Sequence, residues 1–314
     1  MASILITPRS LTLDPPPELE PLRQAGFELI FSTPGQTPGE EELLQLVPQV
    51  EGWLAGVEPV SPAVIAKACH LKVISRNGTG VDNIPLAITE ARGIRVERAM
   101  AANAAGVAEL AIGLALAACR RLPDVSQGVR DGQWPRPKGR EIEGSTVGII
   151  GLGAIGRKVA GVMAELGAKV LGFDPFRPDL GPLAGRVSYA ELPEVLAQSE
   201  IISLHCPMPA NGLPIVDGPA IAAMRSGSII INTARAGLVD EAALIAALDS
   251  GQIGAYATDV FATEPPEPGG LASHARVIAT SHIGGLTDAS VRRATSIAVA
   301  NLLAHLPRSY HAPD

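Results

Sequence analysis

The stretch "VGIIGLGAIGRKVAGVMAELGAKVLGFDP", Val147 to Pro175, sets Gly151, Gly153 and Gly156 between an apolar run and a segment with apolar residues at helical spacing. Gly-x-Gly-x-x-Gly alone also occurs as a plain tight turn, so its surroundings decide its meaning. "TVGII" ahead of it reads as a strand, and "IGRKVAGVMAELG" behind it carries apolar positions every three or four residues, as a helix does. In a strand–turn–helix unit Gly151 permits the tight bend, Gly153 lets backbone N–H groups approach a pyrophosphate, and Gly156 lets the helix lie close to the strand. The helix N-terminus adds partial positive charge. Asp174 stands eighteen residues after Gly156 at the end of the next strand. A carboxylate there accepts hydrogen bonds from ribose hydroxyls and repels a 2′-phosphate, which favours NAD over NADP. The alternative is that Asp174 only starts the turn "DPF", and Arg177 nearby blurs the choice of cofactor.

Outward from this unit, short β-rich runs alternate with helical stretches twice over, the pattern of parallel sheets made of βαβ units. The first set is "ILIT", "FELIFS", "GWLAG", "KVIS" and "IRVER", between Ile4 and Arg98. The second is "TVGII", "KVLGF", "IISLH", "SIIIN", "AYATD" and "VIATS", between Thr146 and Ser281. Between the sets lie an apolar helix after Asn103 and "VRDGQWPRPKGREIEG", Val129 to Gly144, which reads as a surface crossing. The last helix is expected to return to the first domain. The expected domains are therefore residues 1–100 plus 288–314, discontinuous and substrate-binding, and residues 101–287, nucleotide-binding.

At 314 residues two cores are the prior expectation, and 46% apolar with 18% charged residues suits a folded α/β protein. A net charge of −7 with no dense Lys/Arg tract argues against nucleic acid as a partner. Cys69, Cys119 and Cys206 are odd in number and scattered, so neither a disulfide framework nor a metal cluster is indicated, and a reducing cytoplasm is the simpler setting. The N-terminus lacks a secretion-signal pattern. "AAGVAELAIGLALAAC", Ala104 to Cys119, contains Glu109 and is shorter than the ~20 residues a membrane span needs. It reads as a buried helix, and no membrane partner is expected.

Four further stretches fall at expected strand ends, where open α/β sheets place ligands: "SRNGTGVDNI", "NTARAGLVDEAAL", "ATDVFATEPP" and "TSHIGGLT". With the glycine turn, these motifs make residues 50 to 306 resemble the D-isomer-specific 2-hydroxyacid dehydrogenases, in particular their phosphoglycerate dehydrogenase-like branch. The resemblance implies two Rossmann-like domains, one flavodoxin-like and one dinucleotide-binding, with an active-site cleft between them. It implies NAD as cofactor and a 2-hydroxy or 2-oxo acid as substrate. The helix near Asn103, too apolar for solvent, is expected to form a two-fold homodimer interface together with "RDGQWPRPK". The catalytic set the resemblance implies is Arg235, Glu264 and His282. Cofactor contacts are implied for Gly151, Gly153, Ala154, Ile155, Gly156, Asp174, Cys206, Thr233, Ala234, Asp259 and Gly284, with Asp259 directed to the carboxamide. Arg76, Asn77, Gly78 and Thr79 are implied to meet the substrate.

The chemistry supports the placement. Hydride reduction of a 2-oxo acid leaves negative charge on the carbonyl oxygen, and His282 is the proton donor suited to neutral pH. A carboxylate beside an imidazole favours its charged form, so Glu264 would hold His282 protonated and orient its ring. Arg235 presents fixed donors for the substrate carboxylate. Glycines in "RNGTG" allow successive N–H groups to turn toward a carboxylate. His205, in "LHCP", is assigned no chemistry.

Some features depart from the family pattern. Phosphoglycerate-specific relatives often carry an arginine on the loop that here reads "LAGVEP", with Ala55 and Glu58, while Arg76 matches an arginine of that branch. Arg136 and Lys138 are placed to reach a neighbouring subunit's site. Two substrate classes stay open: D-3-phosphoglycerate with its oxo acid, and a smaller oxo acid such as hydroxypyruvate or glyoxylate. A rival from another class is an NAD(H)-sensing protein of the corepressor type. The sequence ends eight residues after Leu306, so neither a corepressor tail nor an amino-acid-binding regulatory domain is expected.

Overall fold

Apolar side chains alternate direction along the central strands and so build a core on each face of two sheets. The computed structural model describes residues 2–306. The expected first domain's residues 1 and 307–314 lie outside them. The chain divides into two units, one running to Asn103 and resuming at Leu286, the other spanning Ala104–Gly285.

In the first unit β1 (Ser3–Ile6), β2 (Glu28–Phe31), β3 (Gly52–Ala55), β4 (Val73–Arg76) and β5 (Arg95–Arg98) form a parallel sheet of order β2-β1-β3-β4-β5. Leu5, Trp53 and Ile74 pack on one face. Ile4, Ile6, Leu54 and Val73 pack on the other, against Ala298, Val299 and Leu302 of helix Asp288–His305. Thr287 caps that helix by accepting the Ser290 N–H at 3.1 Å.

The second unit holds β6 (Thr146–Ile150), β7 (Lys169–Phe173), β8 (Val187–Tyr189), β9 (Ile201–Leu204), β10 (Ser228–Asn232), β11 (Ile253–Thr258) and β12 (Val277–Ala279). Their order is β12-β11-β10-β9-β6-β7-β8, again all parallel. Ile149, Ile201 and Ile231 face helices Ala104–Arg120 and Ala154–Glu165, whereas Ile150, Ile202 and Ile230 face the opposite layer. Small residues at Ala108, Ala111, Ala115 and Ala160 let those two helices pack closely. Among the described residues no helix is long and apolar enough to cross a membrane.

Two details differ from the sequence reading. β8 was not foreseen, because three residues at a sheet edge give no periodic signal. The segment read as a crossing from Val129 begins inside helix Leu122–Arg130, and Gln133–Glu141 has no regular element.

The glycine turn gives a stability test. A Cβ on Gly156 would stand 1.9 Å from the Gly151 carbonyl oxygen, whereas one on Gly153 would meet nothing within 4 Å. Gly156→Ala is expected to destabilise the protein by about 1–3 kcal/mol, as overpacking does. Gly153→Ala should stay within about 0.5 kcal/mol of the parent. Thermal unfolding of both variants checks this, and equal midpoints would remove the close-packing account.

Candidate active site

The order of the seven-stranded sheet reverses at β6, which leads to β7 on one side and lies beside β9 on the other. Ligands of open α/β sheets bind at the carboxyl edge of such a point. There Gly151 has φ +94°, and a Cβ on it would approach the His205 carbonyl oxygen to 2.6 Å and the Cys206 nitrogen to 2.9 Å. The turns after β6 and β9 therefore meet backbone to backbone. Helix Ala154–Glu165 starts at Gly153 with no side-chain cap, so the N–H groups of its first turn, including those of Ala154 and Ile155, suit an anion.

Asp174, just after β7, is held toward this turn: its Oδ2 accepts the Leu152 N–H and its Oδ1 the Phe176 N–H, each at 2.9 Å. Arg177 is drawn to Glu191 and lies 5.8 Å from the Tyr189 ring centroid. The cation that blurred the cofactor choice is thus engaged on the β8 side.

At the ends of β9 and β10 two buried polar atoms, His205 Nδ1 and Thr233 Oγ1, have no hydrogen-bond partner. With the uncapped helix and Asp174, they form a donor and acceptor set that fits a dinucleotide along this edge. Burial pushes the His205 imidazole down to about 3 and the Cys206 thiol up to about 11, so both are neutral near pH 7. His205 Nε2 lies 2.8 Å from Ser203 Oγ. Neither residue is placed as a reacting group.

The ends of β10, β11 and β12, adjacent in the sheet, carry the remaining candidates. Asn232 pins the turn after β10: its Nδ2 donates to the Arg235 carbonyl at 2.9 Å, and its Oδ1 accepts the Ala234 N–H at 3.1 Å. Half-buried Arg235 donates from Nη1 to the Ala234 carbonyl at 2.7 Å.

Asp259, after β11, is buried, and its carboxylate gathers three donors. Oδ1 accepts from Thr280 Oγ1 at 2.6 Å and from the Ile283 N–H at 2.8 Å, and Oδ2 accepts the Gly284 N–H at 2.8 Å. These bonds bracket His282, whose φ of +57° is left-handed, a conformation that costs a non-glycine residue about 1 kcal/mol or more. Asp259, expected against the carboxamide, stands here as the anchor of the His282 turn.

His282 Nδ1 donates to Glu264, 2.8 Å from Oε2 and 3.0 Å from Oε1. Glu264 Oε1 also accepts the Phe261 N–H at 3.1 Å. A carboxylate cannot donate, so the Nδ1 proton is fixed and Nε2 is left as the exchangeable position. Both side chains are open to solvent, His282 at 53% and Glu264 at 38%.

In the first unit the candidate loop follows β4. The N–H of Asn77 donates to the Ala55 carbonyl and that of Gly78 to the Arg76 carbonyl, each at 2.8 Å. Its amides with no such bond, among the described residues, are those of Thr79 and Gly80. Sequence reasoning missed Asn232 and Thr280, whose supporting roles appear only as hydrogen bonds across turns. Nor did it show that Glu58, noted only for lacking an arginine's charge, is buried.

His205 links this edge to stability. The unfolded imidazole takes a proton near pH 6.5, while the native one refuses it down to about 3. Stability is therefore complete above pH 6.5 and is lost as pH falls toward 3, by up to about 1.4 kcal/mol per pH unit from this group. His205→Gln should flatten that slope relative to the parent in denaturant titrations between pH 6.5 and 4. Parallel slopes would remove His205 as a source.

Comparison with known proteins agrees with this geometry. Residues 112–284 match the family described as D-isomer specific 2-hydroxyacid dehydrogenase, NAD binding domain. The chain is 38% identical over 271 residues to D-3-phosphoglycerate dehydrogenase of Mycobacterium tuberculosis, covering 85% of this chain and 51% of that one. It is 36% identical over 260 residues to hydroxypyruvate reductase of Thermotoga maritima, covering 81% of this chain and 84% of that one. Among solved structures, D-lactate dehydrogenase from Aquifex aeolicus complexed with NAD and lactic acid superposes with TM-score 0.82 at 26% identity, covering 96% of this chain and 94% of that one. The chain spans about half the length of the phosphoglycerate dehydrogenase it matches. With a family match over its nucleotide-binding part and a hydroxypyruvate reductase aligned along most of its length, the chain belongs to the D-isomer specific 2-hydroxyacid dehydrogenase family, and residues 112–284 are its NAD-binding domain.

Proposed function

We propose that the chain is an oxidoreductase that interconverts a D-2-hydroxy acid and its 2-oxo acid with NAD, and that its substrate is a short oxo acid without phosphate, such as glyoxylate or hydroxypyruvate. The observation that carries the chemistry is the His282–Glu264 contact at 2.8 Å, which leaves Nε2 as the transferable position. Bound NADH supplies the hydride. His282 gives the Nε2 proton to the oxygen that becomes the hydroxyl, and Glu264 keeps the ring oriented through Nδ1. Arg235, on the turn pinned by Asn232, grips the substrate carboxylate with its planar donors. The first unit is the substrate domain, contributing the loop Arg76–Gly80.

Against a phosphate stand Ala55 and the buried carboxylate Glu58 at the end of β3, and an Arg76 that donates to its own loop at the Asn77 carbonyl, 2.8 Å away. Assay with a panel of 2-oxo acids tests this reading. A kcat/KM for phosphohydroxypyruvate above those for glyoxylate and hydroxypyruvate would restore the phosphorylated substrate, and no turnover across the panel would favour NADH sensing. A cytoplasmic setting is supported by three free cysteines, and the net charge of −7 disfavours nucleic acid.

We also propose a homodimer through the second unit. Leu122, Val129, Trp134, Val162 and Leu166 are exposed there. Exposed apolar surface of this kind marks association, and two-fold dimers are the commonest assembly. Light scattering at micromolar concentration should give twice the 32.4 kDa of one chain. Val162→Glu should shift the mass toward one chain; a monomeric parent refutes the dimer.

The catalytic roles have their own test. His282→Gln should keep NADH affinity and lose turnover by a factor on the order of 10² to 10⁴. Glu264→Gln should lose less, because an amide oxygen still accepts from Nδ1. Arg235→Lys should lose turnover strongly despite the retained charge, since an ammonium lacks the planar fork. Near-parental turnover of His282→Gln would remove the proton-donor assignment.

A further inference from the structure

The peptides Gly151–Leu152 and Leu152–Gly153 form the glycine turn after β6, and each is held from outside the turn. Asp174 holds the first by accepting the Leu152 N–H at 2.9 Å. Arg157, the fourth residue of helix Ala154–Glu165, holds the second: its Nε donates to the Leu152 carbonyl at 2.9 Å. Among the described residues that carbonyl accepts no other hydrogen bond. The far end of the same guanidinium is fixed too, because Nη2 donates to the Asp179 carbonyl in a short contact. Asp179 belongs to the segment that follows Asp174, and Tyr189 ties that segment to β8 by donating its hydroxyl to the Pro178 carbonyl.

The direction of the second peptide decides what the turn offers to an anion. Leu152–Gly153 is a trans peptide, and in such a peptide the C=O and N–H point opposite ways. With its carbonyl turned to Arg157, the peptide sends the Gly153 N–H away from that side chain, and this N–H donates to no protein group among the described residues. The reversed peptide would present a carbonyl oxygen instead and repel a diphosphate. Glycine makes the reversal cheap, since Gly153 has no Cβ to restrict its φ. The fully buried Leu152 side chain does not prevent it. That side chain packs on β7, where a Cβ on Gly172 would stand 2.7 Å from Leu152 Cδ1, but this anchors the residue and not the plane of the peptide after it.

We infer that Arg157 is a positioning residue for the cofactor: by holding the Leu152 carbonyl it directs the Gly153 amide toward the diphosphate of NAD. Its donors Nε and Nη2 go to two backbone carbonyls, so it acts on the cofactor through the turn. The inference rests on residues 112–284 being the NAD-binding domain and not on the substrate reading, so its test needs no turnover. The rival account is direct attraction between the guanidinium and the diphosphate.

The test is binding, read by NADH fluorescence and by displacement of NADH with ADP-ribose and with adenosine, at a temperature where each variant is folded. Arg157→Met keeps the length of the side chain and loses its donors. It should raise Kd for NADH and for ADP-ribose by about tenfold, the scale of one hydrogen bond to a charged group. Kd for adenosine, which has no diphosphate, should stay within about twofold. The loss should be the same at about 0.05 M and about 0.5 M salt, because direction is not screened and attraction is. If Arg157→Met does not fold, Arg157→Ala, the better helix former, replaces it with the same expectation. An unchanged Kd for NADH in the variant used overturns the inference. So does an equal loss for adenosine, which marks a general collapse of the site, and so does a loss that fades at high salt, which assigns direct attraction. A parent that does not bind NADH removes the NAD-binding assignment and the inference together.

Discussion

A parallel strand cannot join its neighbour by a tight turn; the chain must cross back, usually through a helix, before the next strand begins. Both sheets obey this constraint throughout, with five strands in one and seven in the other. Crossovers cover the faces, so central strands such as β10 are buried on both sides and read as continuous runs, here "SIIIN". The loops at the carboxyl ends carry little of the packing load and are free to bear chemistry. Gly151, Asp174, Arg235, Asp259 and His282 all follow the carboxyl ends of strands in the larger sheet.

Freedom at that edge must then be taken away again, because proton transfer tolerates little misplacement. Hydrogen bonds from a few polar side chains do this. Asn232 fixes the turn bearing Arg235 by bonding to it as both donor and acceptor. Asp259 fixes the His282 turn by collecting the N–H groups of Ile283 and Gly284 with the hydroxyl of Thr280. Three donors on one buried carboxylate offset its desolvation, and the turn they define can hold a left-handed histidine.

The glycine turn was legible because the residues around it agree: β-branched before, helically spaced after, and an acid at the next strand's end. The pairing of His282 with Glu264 was legible through motif likeness and the needs of acid–base chemistry. β8 was not, since an edge strand of three residues has no period to detect. Nor was the division of labour within "RNGTG". Glycines announce a bent backbone, but only the folded path shows that the Asn77 and Gly78 amides bond internally while Thr79 and Gly80 do not. The burial of Asp259 and Glu58 was not legible for the same physical reason. A carboxylate in a sequence looks like a ligand or a surface charge, and burial with backbone donors is a property of three-dimensional neighbours.

Those two acids follow one physical logic. Each lies one to three residues beyond a central strand, each is about 99% or 98% removed from solvent, and each accepts from backbone N–H groups and a threonine hydroxyl. An aliphatic residue there would bury more cheaply but would leave those N–H groups unpaired, at about 1–3 kcal/mol for each. An amide would satisfy some donors and face others with its own NH₂ group. Only a carboxylate accepts from every direction without donating, which suits it to gather the ends of several peptides at one point. In this chain Asp259 holds the turn on which the proposed proton donor His282 stands, and Glu58 holds the turn after β3.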